Sequence, residues 1–167
     1  MSDSQTQTTE RIAKIELDDG SISYRSPEVE HERAIAIADL QDENQFEPME
    51  GKGQGPYYAL LKVTDNRLHV HLATYHGLDG AGQEVAHIIV PVTPFRKIIK
   101  DYFLICESYF DAIRHGSPSH IEAIDMGRRG VHNEGSELLM SLLEGKARLD
   151  FDTARRLFTL LCVLHIK

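Results

Sequence analysis

The stretch Asp125-Met-Gly-Arg-Arg-Gly-Val-His-Asn-Glu-Gly-Ser-Glu137 concentrates residue types suited to holding a small charged molecule. On a helix, Asp125, Arg129, His132 and Ser136 fall along one face, at spacings of four, three and four. Arg128 and Arg129 carry planar guanidinium forks that match a phosphate or a carboxylate. His132 is the residue type that moves a proton near neutral pH, with Asp125 or Glu134 setting its tautomer. Gly127, Gly130 and Gly135 leave room for a ligand or for another helix. The candidate ligand site is therefore Asp125, Arg128, Arg129, His132, Asn133 and Glu134. The competing reading is an internal network in which Asp125 pairs with Arg129 and the glycines serve helix packing.

Other constellations are thinner. His69 and His71 are two apart, hence on one face of a strand, a spacing metals use. Two imidazoles are too few, and His76 or His87 would have to complete the set. Histidines on the solvent face of a hairpin are the simpler reading, so no metal and no cofactor are assigned. His31-Glu32 lacks the second histidine of H-E-x-x-H, because Ile35 stands in its place. Gly51-Lys-Gly-Gln-Gly55 lacks the Ser or Thr of a phosphate loop and reads as a mobile loop. Asp150 and Asp152 could present two carboxylates to an ion, but a helix cap at Asp152 explains that residue without one. Arg155 and Arg156, with Arg96, Lys97 and Lys100, form either a basic patch or ordinary solvated faces. No Gly-x-Ser-x-Gly elbow or cysteine–histidine pairing is readable, and no catalytic residue is assigned.

The elements that must position these groups follow from periodicity and turn chemistry. Residues 11–17 alternate as a strand and end at Asp18-Asp19-Gly20. Ser26-Pro27 opens a helix to about 44, with Glu28, Glu30 and Glu32 near its positive end. A hairpin follows, 57–64 and 67–75 about an Asp65-Asn66 turn, then a strand over 84–92 whose Pro91 marks an edge or exit. Thr93-Pro94 starts a helix to about Arg114, whose wide apolar face predicts the central core helix. Ser117-Pro118 starts a segment running to Gly145, one helix or two according to whether it breaks near Gly127–Gly130. Asp152 is expected to cap a last helix, Thr153–Ile166, apolar almost all round and so enclosed by the fold or buried between subunits. The order β-α-β-β-β-α-α-α predicts an α+β fold: a small, mostly antiparallel sheet of about four strands with helices on one face. Residues 1–10 read as a disordered polar tail and 11–167 as one globular domain.

Four blocks carry a resemblance. They are Ser26-Pro-Glu-Val-Glu-His-Glu-Arg-Ala-Ile-Ala36, Thr93-Pro-Phe-Arg-Lys-Ile-Ile-Lys-Asp-Tyr-Phe-Leu-Ile-Cys-Glu-Ser-Tyr109, Ile121-Glu-Ala-Ile-Asp-Met-Gly-Arg-Arg-Gly-Val-His-Asn-Glu-Gly-Ser-Glu-Leu-Leu139 and Asp150-Phe-Asp-Thr-Ala-Arg-Arg-Leu-Phe-Thr-Leu160. Over nearly all of the chain from Ile12 onward, the sequence resembles an uncharacterised alphaproteobacterial protein family. The resemblance implies no assigned activity. It does imply genes that often lie near those for histidinol dehydrogenase and a small phosphatase.

Composition bounds the partners. The 167 residues are 41% apolar and 26% charged, ordinary for a globular chain. The net charge of −8 is uneven: residues 1–50 hold 13 acids against 4 bases, while the remainder is nearly balanced. Nucleic acid is therefore an unlikely partner, since phosphate binding needs a basic stripe. No apolar run is long enough for a membrane helix. Cys106 and Cys162 sit inside apolar runs and read as buried free thiols of a reducing cytoplasm. The leading expectation is a non-enzymatic binding or regulatory protein acting as a homo-oligomer, with a protein partner as one option. The rival is an enzyme or sensor for a small anionic metabolite at Asp125–Glu137.

Overall fold

The computed structural model describes residues 9–20, 26–77 and 80–165, so most of the expected polar tail lies outside the described residues. In chain order the elements are β1 (Ile12–Leu17), α1 (Pro27–Asp42), β2 (Phe46–Pro48), β3 (Tyr57–Thr64), β4 (Arg67–Tyr75) and β5 (Ala81–Pro91). A short 3₁₀ turn (Thr93–Phe95) leads to α2 (Arg96–His115), α3 (Pro118–Leu143), β6 (Ala147–Leu149) and α4 (Phe151–Leu164). The fold is α+β.

The main sheet runs β1-β3-β4-β5. β3, β4 and β5 form the expected antiparallel meander, and β1 joins β3 in parallel because α1 carries the chain back across the sheet. Asp65 and Asn66 both hold positive φ, at 54° and 57°, the conformation whose twist matches a two-residue hairpin. Alternation decides the faces. Tyr57, Ala59, Leu61, Leu68, Val70, Leu72, Ala86, Ile88 and Val90 are buried under the helices, while His69, His71, His87 and Ile89 line the open face.

The central helix is α4, not α2. Leu157, Phe158, Leu160, Leu161, Cys162 and Val163 are all buried, where α4 packs on α1, α3 and β3. Its all-round apolar character is thus consumed within the chain's own fold. α2 instead packs along α3, and its wide apolar face leaves Leu104 and Ile113 more than half exposed. α3 runs unbroken for 26 residues through Gly127 and Gly130, so the segment is one helix rather than two.

Two caps differ from expectation. Ser26 and Ser117 do cap α1 and α3, accepting from the amides of Val29 and His120. Thr93-Pro94, however, forms the 3₁₀ turn without a side-chain cap. α4 is capped by Asp150 rather than Asp152, with its carboxylate accepting from the Thr153 amide at 3.3 Å and from the Thr153 hydroxyl. The 46–56 segment is also better anchored than a mobile loop. β2 pairs with β6, the Gly53 amide donates to Glu10 Oε1 at 2.9 Å, and the Tyr57 hydroxyl lies 2.7 Å from Glu10 Oε2.

Candidate functional site

The inward face of α3 carries His132, Gly135, Ser136, Leu139 and Leu143. Gly135 answers what the glycines are for: a Cβ there would collide with the Phe158 ring of α4, so its absence lets the two helices close. Gly130, by contrast, faces open space. Ser136 is fully buried and returns its hydroxyl to the His132 carbonyl at 2.6 Å.

Where α1, α3 and α4 meet, they line a half-open pocket of about 150 Å³. α1 contributes Glu32 and Asp39, α3 contributes Arg128 and His132, and α4 contributes Asp152, Arg155, Arg156 and Thr159. Arg128 reaches Glu32 at 2.6 Å and lies over the Tyr109 ring, 4.9 Å from its centroid. Glu32 is only 5% exposed, so this is a largely desolvated ion pair. Asp39 and Asp152 stand at the exposed rim.

His132 forms the floor of this pocket. It is 3% exposed, its ring meets Tyr102 and Phe158 edge-on, and its Nδ1 lies 3.5 Å from the Thr159 hydroxyl. That hydroxyl donates to the Arg155 carbonyl at 3.1 Å, so toward His132 it is an acceptor. His132 Nε2 is buried without a hydrogen-bond partner, and so is Arg128 Nε. Burial first, then the charges of Arg155 and Arg128, holds the His132 pKa down at about 3. The thiols move the other way. Burial, then the Glu32 charge, raises Cys106 to about 11, and burial raises Cys162 well above the ordinary thiol range. Both are therefore protonated at neutral pH and unfit as nucleophiles.

Of the candidate residues read from sequence, Arg128 and His132 come together in the cavity. Asp125 sits beside it, 3.9 Å from Arg128, and binds Arg129 at 2.6 Å. Arg129 is thereby directed outward, and Asn133 and Glu134 occupy the exposed side of α3. Glu32, Asp39 and Thr159 escaped the sequence reading. The readable signal for Glu32 was its place among Val29, Ala36 and Leu40, a charge inside the apolar stripe of α1. Arg96, Lys97 and Lys100 are exposed on α2, and Arg155 and Arg156 belong to the cavity instead.

On the opposite, open face of the sheet, register brings His87 directly across from His71, beside His69. Burial, then the charges of His87 and His71, lowers the His69 pKa. A larger hollow of about 310 Å³ follows the β2–β6 ribbon past Glu47, Arg148 and Asp150.

Comparison with known proteins places this architecture in a family. A family model described as an uncharacterised protein family, UPF0262, matches residues 9–167, and the chain belongs to that family. A UPF0262 protein of Mesorhizobium japonicum is 56% identical over 159 residues, covering 95% of each chain. One from Rhizobium meliloti is 58% identical over 155 residues, covering 93% of this chain and 94% of the relative. One from Xanthobacter autotrophicus is 52% identical over 157 residues, covering 94% and 93%. No solved structure matches the chain.

Proposed function

We propose that this member of the UPF0262 family is a binding or regulatory protein for a small metabolite, received in the pocket between α1, α3 and α4. The observation that carries the reading is His132, whose buried Nε2 has no hydrogen-bond partner, in a pocket where Arg128, Arg155 and Arg156 stand beside Glu32, Asp39 and Asp152. A buried polar atom left unpaired is destabilising by about 1–3 kcal/mol, a deficit that a bound molecule removes. The chemistry on both sides defines the ligand. The arginines call for a carboxylate or phosphate oxygen, Glu32, Asp39 and Asp152 call for a hydroxyl or ammonium donor, and His132 Nε2 calls for a polar partner. A pocket of about 150 Å³ limits it to a compact molecule or to one end of a larger one.

Binding fits better than proton transfer. A general base works best with a pKa near the operating pH, and His132 is held at about 3. The rival reading, an enzyme acting on the same ligand class, predicts that an identified ligand is converted on incubation. We keep self-association in the proposal because Leu104 and Met126 are 55% and 65% exposed beside the Ile105–Gly127 contact of α2 and α3. A concentration-independent monomer in light scattering would remove that part. The two free thiols suit a reducing compartment, and we place the protein in the cytoplasm. Among the described residues no helix is long and apolar enough to cross a membrane.

The test is thermal unfolding against hydroxy acids, amino acids and phosphomonoesters, with the wild type beside Arg155→Ala and His132→Gln. A ligand at a hundredfold excess over its Kd stabilises by about 2.7 kcal/mol. The expected result is a hit that both variants lose. A hit retained by both variants, or an unmoved melting point across the panel, would overturn the reading.

A further inference from the structure

The open face of the sheet carries a second constellation, on the far side of the strands from the helical pocket. His69 and His71 alternate onto that face from β4, and the antiparallel register sets His87 of β5 opposite His71. Each of the three offers a ring nitrogen within 4.8 Å of the others. His69 Nδ1 lies 2.9 Å from His87 Nε2, and the His71 and His87 rings stack with centroids 4.0 Å apart. Glu84, also on β5, meets His71 Nδ1 at 2.6 Å.

We propose that His69, His71 and His87 form a three-imidazole site for a zinc-class divalent transition ion, with Glu84 orienting His71. The donor set selects the ion. Imidazole nitrogen suits zinc, nickel, copper and cobalt, whereas magnesium and calcium demand oxygen ligands. Glu84 occupies Nδ1 of His71 and so directs Nε2 of that ring to the ion, the carboxylate–histidine–metal relay that fixes ring orientation and raises ligand basicity. The close His69–His87 contact needs a hydrogen on one of its two nitrogens. When the ion binds, that ring carries its proton on its other nitrogen, and both contacting nitrogens offer lone pairs to the ion. With metal–nitrogen bonds of about 2.0–2.1 Å, tetrahedral donors stand roughly 3.3 Å apart, a spacing that the present cluster already brackets. His69 and His71 are partly exposed and His87 is exposed, so the rings, here stacked nearly parallel, are free to turn their nitrogens toward a common ion without disturbing the core. Three protein ligands leave the fourth position of a tetrahedral ion to water or to an incoming ligand.

The experiment uses the full-length, tag-free chain stripped with chelator, then titrated with Zn²⁺ by calorimetry and with Co²⁺ by visible absorption. The expected result is one ion per chain, visible cobalt bands of low-symmetry nitrogen coordination, and no uptake of Mg²⁺. His87→Gln and, separately, His69→Gln should each abolish the cobalt bands while leaving the metal-free melting point in place. Glu84→Gln should weaken binding by about tenfold or more, and His76→Gln should bind as the wild type does. Binding unchanged in both the His87 and His69 variants would overturn the site, as would no Zn²⁺ uptake in a millimolar titration. Uptake of one ion per two chains with dimer formation would overturn it in favour of a shared site.

Discussion

Replacing His132 by Gln removes a titrating ring while leaving an amide to fill part of its place. The native ring is 3% exposed, and burial with the charges of Arg155 and Arg128 keeps its pKa at about 3. In the unfolded chain the same ring takes up a proton near its ordinary value, about 6.5. The folded pKa is the lower one, so the unfolded state binds more protons between the two values. The stability this group contributes is therefore complete above about pH 6.5 and declines as the pH falls toward 3. Each pH unit below 6.5 removes about 1.4 kcal/mol, so from pH 8 to pH 5 the wild type loses about 2 kcal/mol through His132. That figure is set by the unfolded pKa and is insensitive to the native one as long as the latter stays below about 4. Urea unfolding of both proteins from pH 8 to pH 5 reads it directly, because the other histidines and the carboxylates are common to both. The variant starts less stable at pH 8, having lost the ring's contacts with Tyr102 and Phe158. Its deficit should then shrink by about 2 kcal/mol at pH 5. Parallel pH profiles would refute the claim that His132 is held neutral.

Four further outcomes follow from the same helices. Glu32→Gln leaves the partly buried Arg128 with Asp125, at 3.9 Å, as its remaining ionic partner, and should destabilise by about 3 kcal/mol in urea unfolding. Arg129→Ala, which breaks a solvent-facing pair, should change stability by less than about 1 kcal/mol. Gly135→Ala forces a methyl group into the Phe158 ring and should destabilise by about 1–3 kcal/mol despite its better helix propensity. Gly130→Ala meets nothing and should stabilise by about 0.4–1 kcal/mol, so their melting points should move in opposite directions.

The strands were legible because alternation and turn chemistry are local. Asp65-Asn66, the apolar set of β4 and the edge position of Pro91 are all readable within a few residues. The two-stranded β2–β6 ribbon was not, since it joins segments about a hundred residues apart through three residue pairs and shows no alternation long enough to detect. His87 illustrates the same limit. Its identity was visible, but only the β4–β5 register places it against His71 rather than leaving it beside His76.

The pocket was half legible for a reason of helical phase. The apolar residues of α3 that mark its period, Ile124, Val131, Leu138 and Leu142, are only partly buried. The most buried set, His132, Gly135, Ser136, Leu139 and Leu143, runs about one position later, a turn of roughly 100°. Large side chains ordinarily announce the core face, but here α4 approaches so closely that glycine and serine must occupy it. The phase inferred from hydrophobicity therefore points to a flank. The buried face is the one His132 and Ser136 share, so the histidine and its neighbour Arg128 were legible from spacing within α3. Arg129 falls on the other side of that face and is held outward by Asp125. Glu32, the acid that meets Arg128, lies 96 residues away in sequence, and no spacing within α3 points to it.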